Sequence, residues 1–192
     1  LSEAMLDHLW DAIQLASDDA NVRAVIIAAN GPAFCAGHDL KELTAGRAND
    51  DKGKAYFTRI MTRCSSVMQA ILQTPKPVIA EVTATATAAG CQLVASCDLA
   101  FASPSAKFST PGVHIGLFCS TPMVALSRNV AAKHAMEMLL TGDMCPAPKA
   151  VEIGLLNRCV APTALTDEVM SLARKIAGKS SATVAFGKPT FY

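Results

Sequence analysis

Apolar side chains recur at helix and strand periods along most of the chain. Met5, Leu9, Ile13 and Ala16 fall on one side of Ser2–Ala16 and predict an amphipathic helix. A β-like run, Val22–Ala29, follows. The polar stretch Ala45–Lys54, rich in Gly, Asn and Asp, then reads as a loop or lid. Phe57, Ile60, Met61, Cys64, Val67, Met68 and Ile71 share a helical face, and this helix ends at Thr74 because Pro75 and Pro77 cannot continue it. Strand Val78–Val82, helix Ala89–Ser96 and strand Leu99–Ala102 come next. Lys107–Ser109 and Val113–Ile115 read as extended, with a bend at Pro111-Gly112. Helical periods return over Thr121–Asn129, Ala131–Leu140, Ala147–Ile153 and Leu165–Ala177, with a last strand at Asn157–Val160. Strands alternating with helices predict an α/β protein with parallel sheets, their order left open.

Two of the strands run into turns made of small residues. Val22–Ala29 leads into Gly31-Pro32-Ala33-Phe34-Cys35-Ala36-Gly37-His38-Asp39-Leu40-Lys41-Glu42-Leu43, and Pro77–Val82 leads on to Ala88-Ala89-Gly90-Cys91-Gln92. Such turns can present backbone N–H groups to one point, which suits a carbonyl oxygen that becomes an oxyanion during reaction. The plainer reading of Phe34–Leu43 is a tight turn that caps a helix.

Composition narrows the classes. The 192 residues carry a net charge of +1, which offers no basic surface for nucleic acid or acidic lipid. The apolar runs are too short to cross a bilayer, and no signal peptide is visible. Seven cysteines without a CxxC spacing read as reduced thiols of an intracellular protein, and no His pair has metal-ligand spacing, so no metal site is expected. A nicotinamide-binding domain is disfavoured because no GxGxxG follows the first strand. A hydrophobic share of 51% suits a buried subunit interface.

Phe34-Cys35-Ala36-Gly37-His38-Asp39-Leu40, Ala89-Gly90-Cys91-Gln92-Leu93, Ser96-Cys97-Asp98-Leu99-Ala100, Ala106-Lys107-Phe108 and Ala135–Gly142, in that order, resemble the enoyl-CoA hydratase/isomerase (crotonase) family over nearly the whole chain. The resemblance implies a crotonase-like spiral of ββα units with a helical C-terminal region. It makes residues 1–192 a single domain, with a spiral core to about 130 and the start of a helical trimerisation region over 131–192. Family members run further at both ends, with a leading hairpin and closing helices. The resemblance also implies a homotrimer or hexamer, a coenzyme A thioester as ligand with no permanently bound cofactor, and a bacterial cytoplasm or mitochondrial matrix as the compartment.

For the site, the resemblance implies an oxyanion hole built from the backbone amides of His38 and Ala89. Ala36, Asp39, Leu40 and Lys41 would run along the bound coenzyme A, with Lys41 available to its phosphates. The His38 side chain either faces the pocket mouth or titrates near neutral pH. In hydratases of the family one glutamate follows the Gly-Cys pair and a second stands twenty residues later, after a proline. Those positions hold Gln92 and Gly112, and a carboxylate position used in other branches falls near Ser120. All three carboxylates are missing. Cys119, Ser120, Thr121, His38 and His114 are the remaining polar candidates, with Cys119 weighed as a nucleophile against a packing role. Efficient hydratase activity is therefore doubted. An enzyme relying on the oxyanion hole, by decarboxylation or thioester hydrolysis, stands beside a non-catalytic acyl-CoA binder.

Overall fold

The strands come in closely spaced pairs, and the two members of a pair enter different sheets. The computed structural model describes residues 1–192. In chain order its elements are α1 (Glu3–Asp18), β1 (Val25–Ala28), β2 (Ala33–Cys35), α2 (Leu40–Gly46), α3 (Lys54–Gln73), β3 (Val78–Val82), β4 (Thr85–Thr87), α4 (Ala89–Ser96), β5 (Leu99–Ala102) and β6 (Lys107–Ser109). A 3-10 helix (Pro111–Ile115) follows, then α5 (Ser120–Asn129), α6 (Ala132–Thr141), β7 (Cys145–Pro146), α7 (Ala147–Glu152), β8 (Arg158–Cys159), α8 (Leu165–Ala177) and α9 (Ser181–Phe191). One sheet has the order β1-β3-β5-β8 and the other β2-β4-β6-β7. Every pairing is parallel except β6 with β7. Each β-β-helix unit thus climbs one step along both sheets, a ββα spiral.

The central strand β3 shows why the layers stack as they do. Alternate residues of a strand face opposite sides. Val78, Ala80 and Val82 enter the main core, which also takes Ile60, Cys64, Val67 and Ile71 of α3. Ile79 faces the other way and joins Phe101, Leu165, Val169 and Ala173 in a second core, so that α8 covers the outer face of the sheet. Glu81 is buried, and its Oε1 accepts a hydrogen bond from the Thr166 hydroxyl at 2.6 Å.

Three expectations need correction. Val113–Ile115 is helical: Pro111 opens a 3-10 turn, and Gly116, at φ +74°, closes it. The polar stretch from Ala45 is partly helix, because Asp39 caps α2, which runs through Gly46. Met5 is 48% exposed, since α1 turns Leu6 and Ile13 into the core instead.

One buried polar knot ties the C-terminal helix to the spiral. Lys188 of α9 donates to the Ile71 carbonyl at 2.8 Å, the Lys76 carbonyl at 2.9 Å and Asp98 Oδ2 at 2.7 Å. Asp98 Oδ2 also accepts the Val78 N–H at 2.7 Å, and its Oδ1 accepts from the Tyr192 hydroxyl at 3.1 Å. All three ammonium protons are used, and one of them caps the end of α3, whose last carbonyls lack helix partners.

Candidate active site

The two small-residue turns meet. Gly37 has φ +98°, and a Cβ placed there would lie 3.0 Å from Ala88 Cβ and 3.7 Å from the Ala89 nitrogen. A side chain at 37 would therefore wedge the turns apart. Gly90 is closer still: its Cβ would lie 2.1 Å from the Cys35 carbonyl oxygen. The Thr87 hydroxyl donates to the Ala36 carbonyl at 3.2 Å and ties one turn to the other. Ala88 stands at φ 50° and ψ −120°, a conformation that costs about 1–3 kcal/mol in a residue with a side chain. Its N–H donates to Ser109 O at 2.9 Å, and its carbonyl accepts the Gln92 N–H at 3.0 Å. The strained residue thus has both polar groups engaged while its neighbour is left open. Neither the His38 N–H nor the Ala89 N–H donates to an acceptor in the chain. Ala89 is also the first residue of α4, where the helix dipole favours negative charge.

The other residues singled out from sequence divide into groups. Asp39 is the N-cap of α2, its carboxylate accepting from the N–H groups of Lys41 at 2.8 Å and Glu42 at 3.3 Å. Ala36, Leu40 and Lys41 are exposed. Gln92, one helical turn beyond Ala89, is 7% exposed, and its Oε1 has no hydrogen-bond partner. Gly112 is closed to any side chain, because a Cβ would lie 2.7 Å from Leu117 O and 2.8 Å from Cys119 Sγ. The Gly112 N–H donates to that sulfur at 3.2 Å, so half-buried Cys119 holds the turn together. Ser120 is exposed at the start of α5, and its N–H bonds Phe118 O at 2.7 Å. The structure therefore joins the turns of His38 and Ala89, sets Gln92 just behind them, and places no ionisable side chain at positions 92, 112 or 120.

His38 titrates abnormally. Burial holds its imidazole pKa below the ordinary 6.5, with the Glu42 carboxylate opposing the shift, and Nδ1 is buried without a partner. The fold thus favours the neutral ring, while the unfolded chain takes up a proton near pH 6.5. This contribution to stability is complete above the unfolded value and is lost as pH falls below it toward the folded value. Thermal unfolding between about pH 7.5 and about pH 5 is expected to show a steeper loss for the wild type than for His38→Gln. Equal slopes would remove the imidazole from the account.

The family model described as "Enoyl-CoA hydratase/isomerase" matches residues 1–191. The chain belongs to this family. It is 50% identical over 192 residues to the human "Enoyl-CoA hydratase domain-containing protein 3, mitochondrial", covering 100% of this chain and 62% of that relative. Its fold matches the crystal structure of an enoyl-CoA hydratase from Mycobacterium smegmatis with a TM-score of 0.94 and 54% identity, covering 100% of this chain and 73% of the other. The crystal structure of the human domain-containing protein 3 matches with a TM-score of 0.93 and 49% identity, again over 100% of this chain and 74% of the other. These agree with the α/β crotonase-like spiral expected from the sequence. The 192 residues span under two thirds of the human relative's length.

Proposed function

We propose that the chain binds an acyl-CoA and stabilises the enolate of its thioester in an oxyanion hole formed by the His38 and Ala89 amides. The single observation that carries this is the pair of unengaged N–H groups on two touching turns, with Gly37 and Gly90 permitting the contact. A preorganised donor of this kind contributes about 3–4 kcal/mol to a transition state that gathers charge on the oxygen. The start of α4 adds its dipole at the same point.

The absent carboxylates decide which reaction fits. Hydration needs a proton delivered to one carbon and another removed from water. Gln92 hydrogen-bonds but does not exchange protons near neutral pH, and Gly112 and Ser120 supply neither acid nor base. Decarboxylation of a malonyl-type thioester avoids that need. The bond from Cα to the carboxylate breaks, its electron pair becomes the enolate, carbon dioxide leaves, and water then protonates Cα. Hydrolysis, with Gln92 positioning the water, is the alternative reaction. A binder without turnover is the alternative function, favoured by the lack of a carboxylate at positions 92, 112 and 120. In this reading Ala36, Asp39, Leu40 and Lys41 run along the coenzyme A, a homotrimer or hexamer is the assembly, and a mitochondrial matrix or bacterial cytoplasm is the compartment.

Hydration of crotonyl-CoA is expected to be at least about 10⁴-fold slower than in a family member with both glutamates, at ~10²–10⁴ for each missing function. Gln92→Glu alone is not expected to restore it, because position 112 offers no second carboxylate. A panel of acyl-CoAs followed by mass spectrometry and calorimetry separates the readings. A malonyl-type thioester losing carbon dioxide supports the decarboxylase, whereas tight binding with every thioester recovered intact supports the binder. Ordinary crotonyl-CoA turnover would overturn the account.

A further inference from the structure

Helices α1, α2 and α9 start from ordinary N-caps. Ser2, Asp39 and Ser180 keep a negative φ, and each side chain accepts a hydrogen bond from the helix that follows. Ala88 does neither at the start of α4. It stands at φ 50° and ψ −120° with no capping atom, one of two non-glycine residues of the chain with positive φ. The fold holds it there from both ends: β6 takes its N–H through Ser109 O at 2.9 Å, and α4 takes its carbonyl through the Gln92 N–H at 3.0 Å. Strain imposed by the surroundings in this way collects at sites whose geometry matters.

Both unengaged amides are one residue away. The ψ of Ala88 sets the plane of the 88–89 peptide, and with it the direction of the Ala89 N–H. The Ala88 methyl occupies the space that a side chain on Gly37 would need, 3.0 Å from such a Cβ. It therefore stands no more than about 4.5 Å from the Gly37 Cα, within contact. Gly37 carries the peptide that presents the His38 N–H. Ala88 thus aims one donor with its backbone and spaces the other with its side chain. We propose that Ala88 is a positioning residue, its strained backbone and its methyl setting the aim and separation of the two amides that take a thioester oxygen. The inference rests on the acyl-CoA reading above and deepens it. Glycine at 88 adopts the same φ and ψ without strain, and this relief exceeds the added freedom of the unfolded chain. It also lets the 88–89 peptide swing and removes the spacer. Stability is expected to rise while the grip weakens, whereas a residue serving the fold alone would move both the same way.

Calorimetry on the full chain with hexanoyl-CoA and with S-hexyl-CoA, a thioether with a methylene in place of the carbonyl, tests this beside a melting curve. The wild type is expected to bind the thioester about tenfold tighter than the thioether. Ala88→Gly is expected to cut that ratio to about threefold or less and to raise the melting temperature by about 2–4 °C. Ala88→Ser, which keeps both the Cβ and the strained backbone, is expected to hold the wild-type ratio. A ratio unchanged in Ala88→Gly, a ratio lost there without a rise in melting temperature, or a ratio lost in Ala88→Ser would overturn the inference and leave the acyl-CoA reading intact. A wild type that binds the two ligands equally would overturn the two-amide grip itself, and binding of neither would overturn the acyl-CoA reading.

Discussion

Lys188→Met is expected to lower unfolding stability by about 3–5 kcal/mol, a fall in melting temperature of about 10 °C or more for a chain of this size. The ammonium is almost wholly buried, its side chain 6% exposed, and it satisfies Asp98 and two backbone carbonyls at once. A methionine of similar length fills the space but leaves the partly buried Asp98 carboxylate and the Ile71 and Lys76 carbonyls without their donor. Replacing Asp98 as well should recover only part of the loss, because Val78 N–H and the Tyr192 hydroxyl also rely on that carboxylate. A circular-dichroism melt checks both. A single variant within about 0.5 kcal/mol of the wild type would show that α9 is not held by this knot.

Gly90→Ala is expected to abolish thioester binding, weakening it by at least about 100-fold, and to cost about 1–3 kcal/mol of stability. The added methyl would lie 2.1 Å from the Cys35 carbonyl oxygen and 2.7 Å from Cys35 Cβ, and neither belongs to the flexible end of a side chain. Relief requires β2 to move away from α4 by more than an ångström. That movement carries the Gly37–His38 turn with it and separates the two amides. Calorimetry with an acyl-CoA reads the binding, and the melt reads the stability. A folded Gly90→Ala protein with unchanged affinity would remove the contact of the two turns from the binding account.

The sequence made the long periodic elements legible. In α3, Ile60, Cys64, Val67 and Ile71 repeat at helical spacing, and all four are buried. Strand β3 is visible as an apolar run because both of its faces are covered. The three-residue strands β2 and β4 are too short to show a period. Helix α9 escaped for a different reason: Lys188 is its only buried residue, while Phe186 and Phe191 are 77% and 83% exposed. Its docking is polar, so no apolar stripe announces it. At the site, the residues by themselves marked two small-residue turns, and it was the family resemblance that singled out His38 with Ala89 and the positions of Gln92 and Gly112. It could not reveal that Leu117 O and Cys119 Sγ already fill the space beside Gly112, since that depends on how the 3-10 turn folds back.

Both donors at the meeting of the turns belong to the main chain. Substitution at 38 or 89 changes the surroundings of a donor without deleting it, proline alone excepted. The grip on a carbonyl proposed for them would thus be insulated from ordinary mutation, whereas proton chemistry carried on side chains is one codon change from loss. A lineage on this scaffold can shed or swap its reaction and still recognise the same functional group.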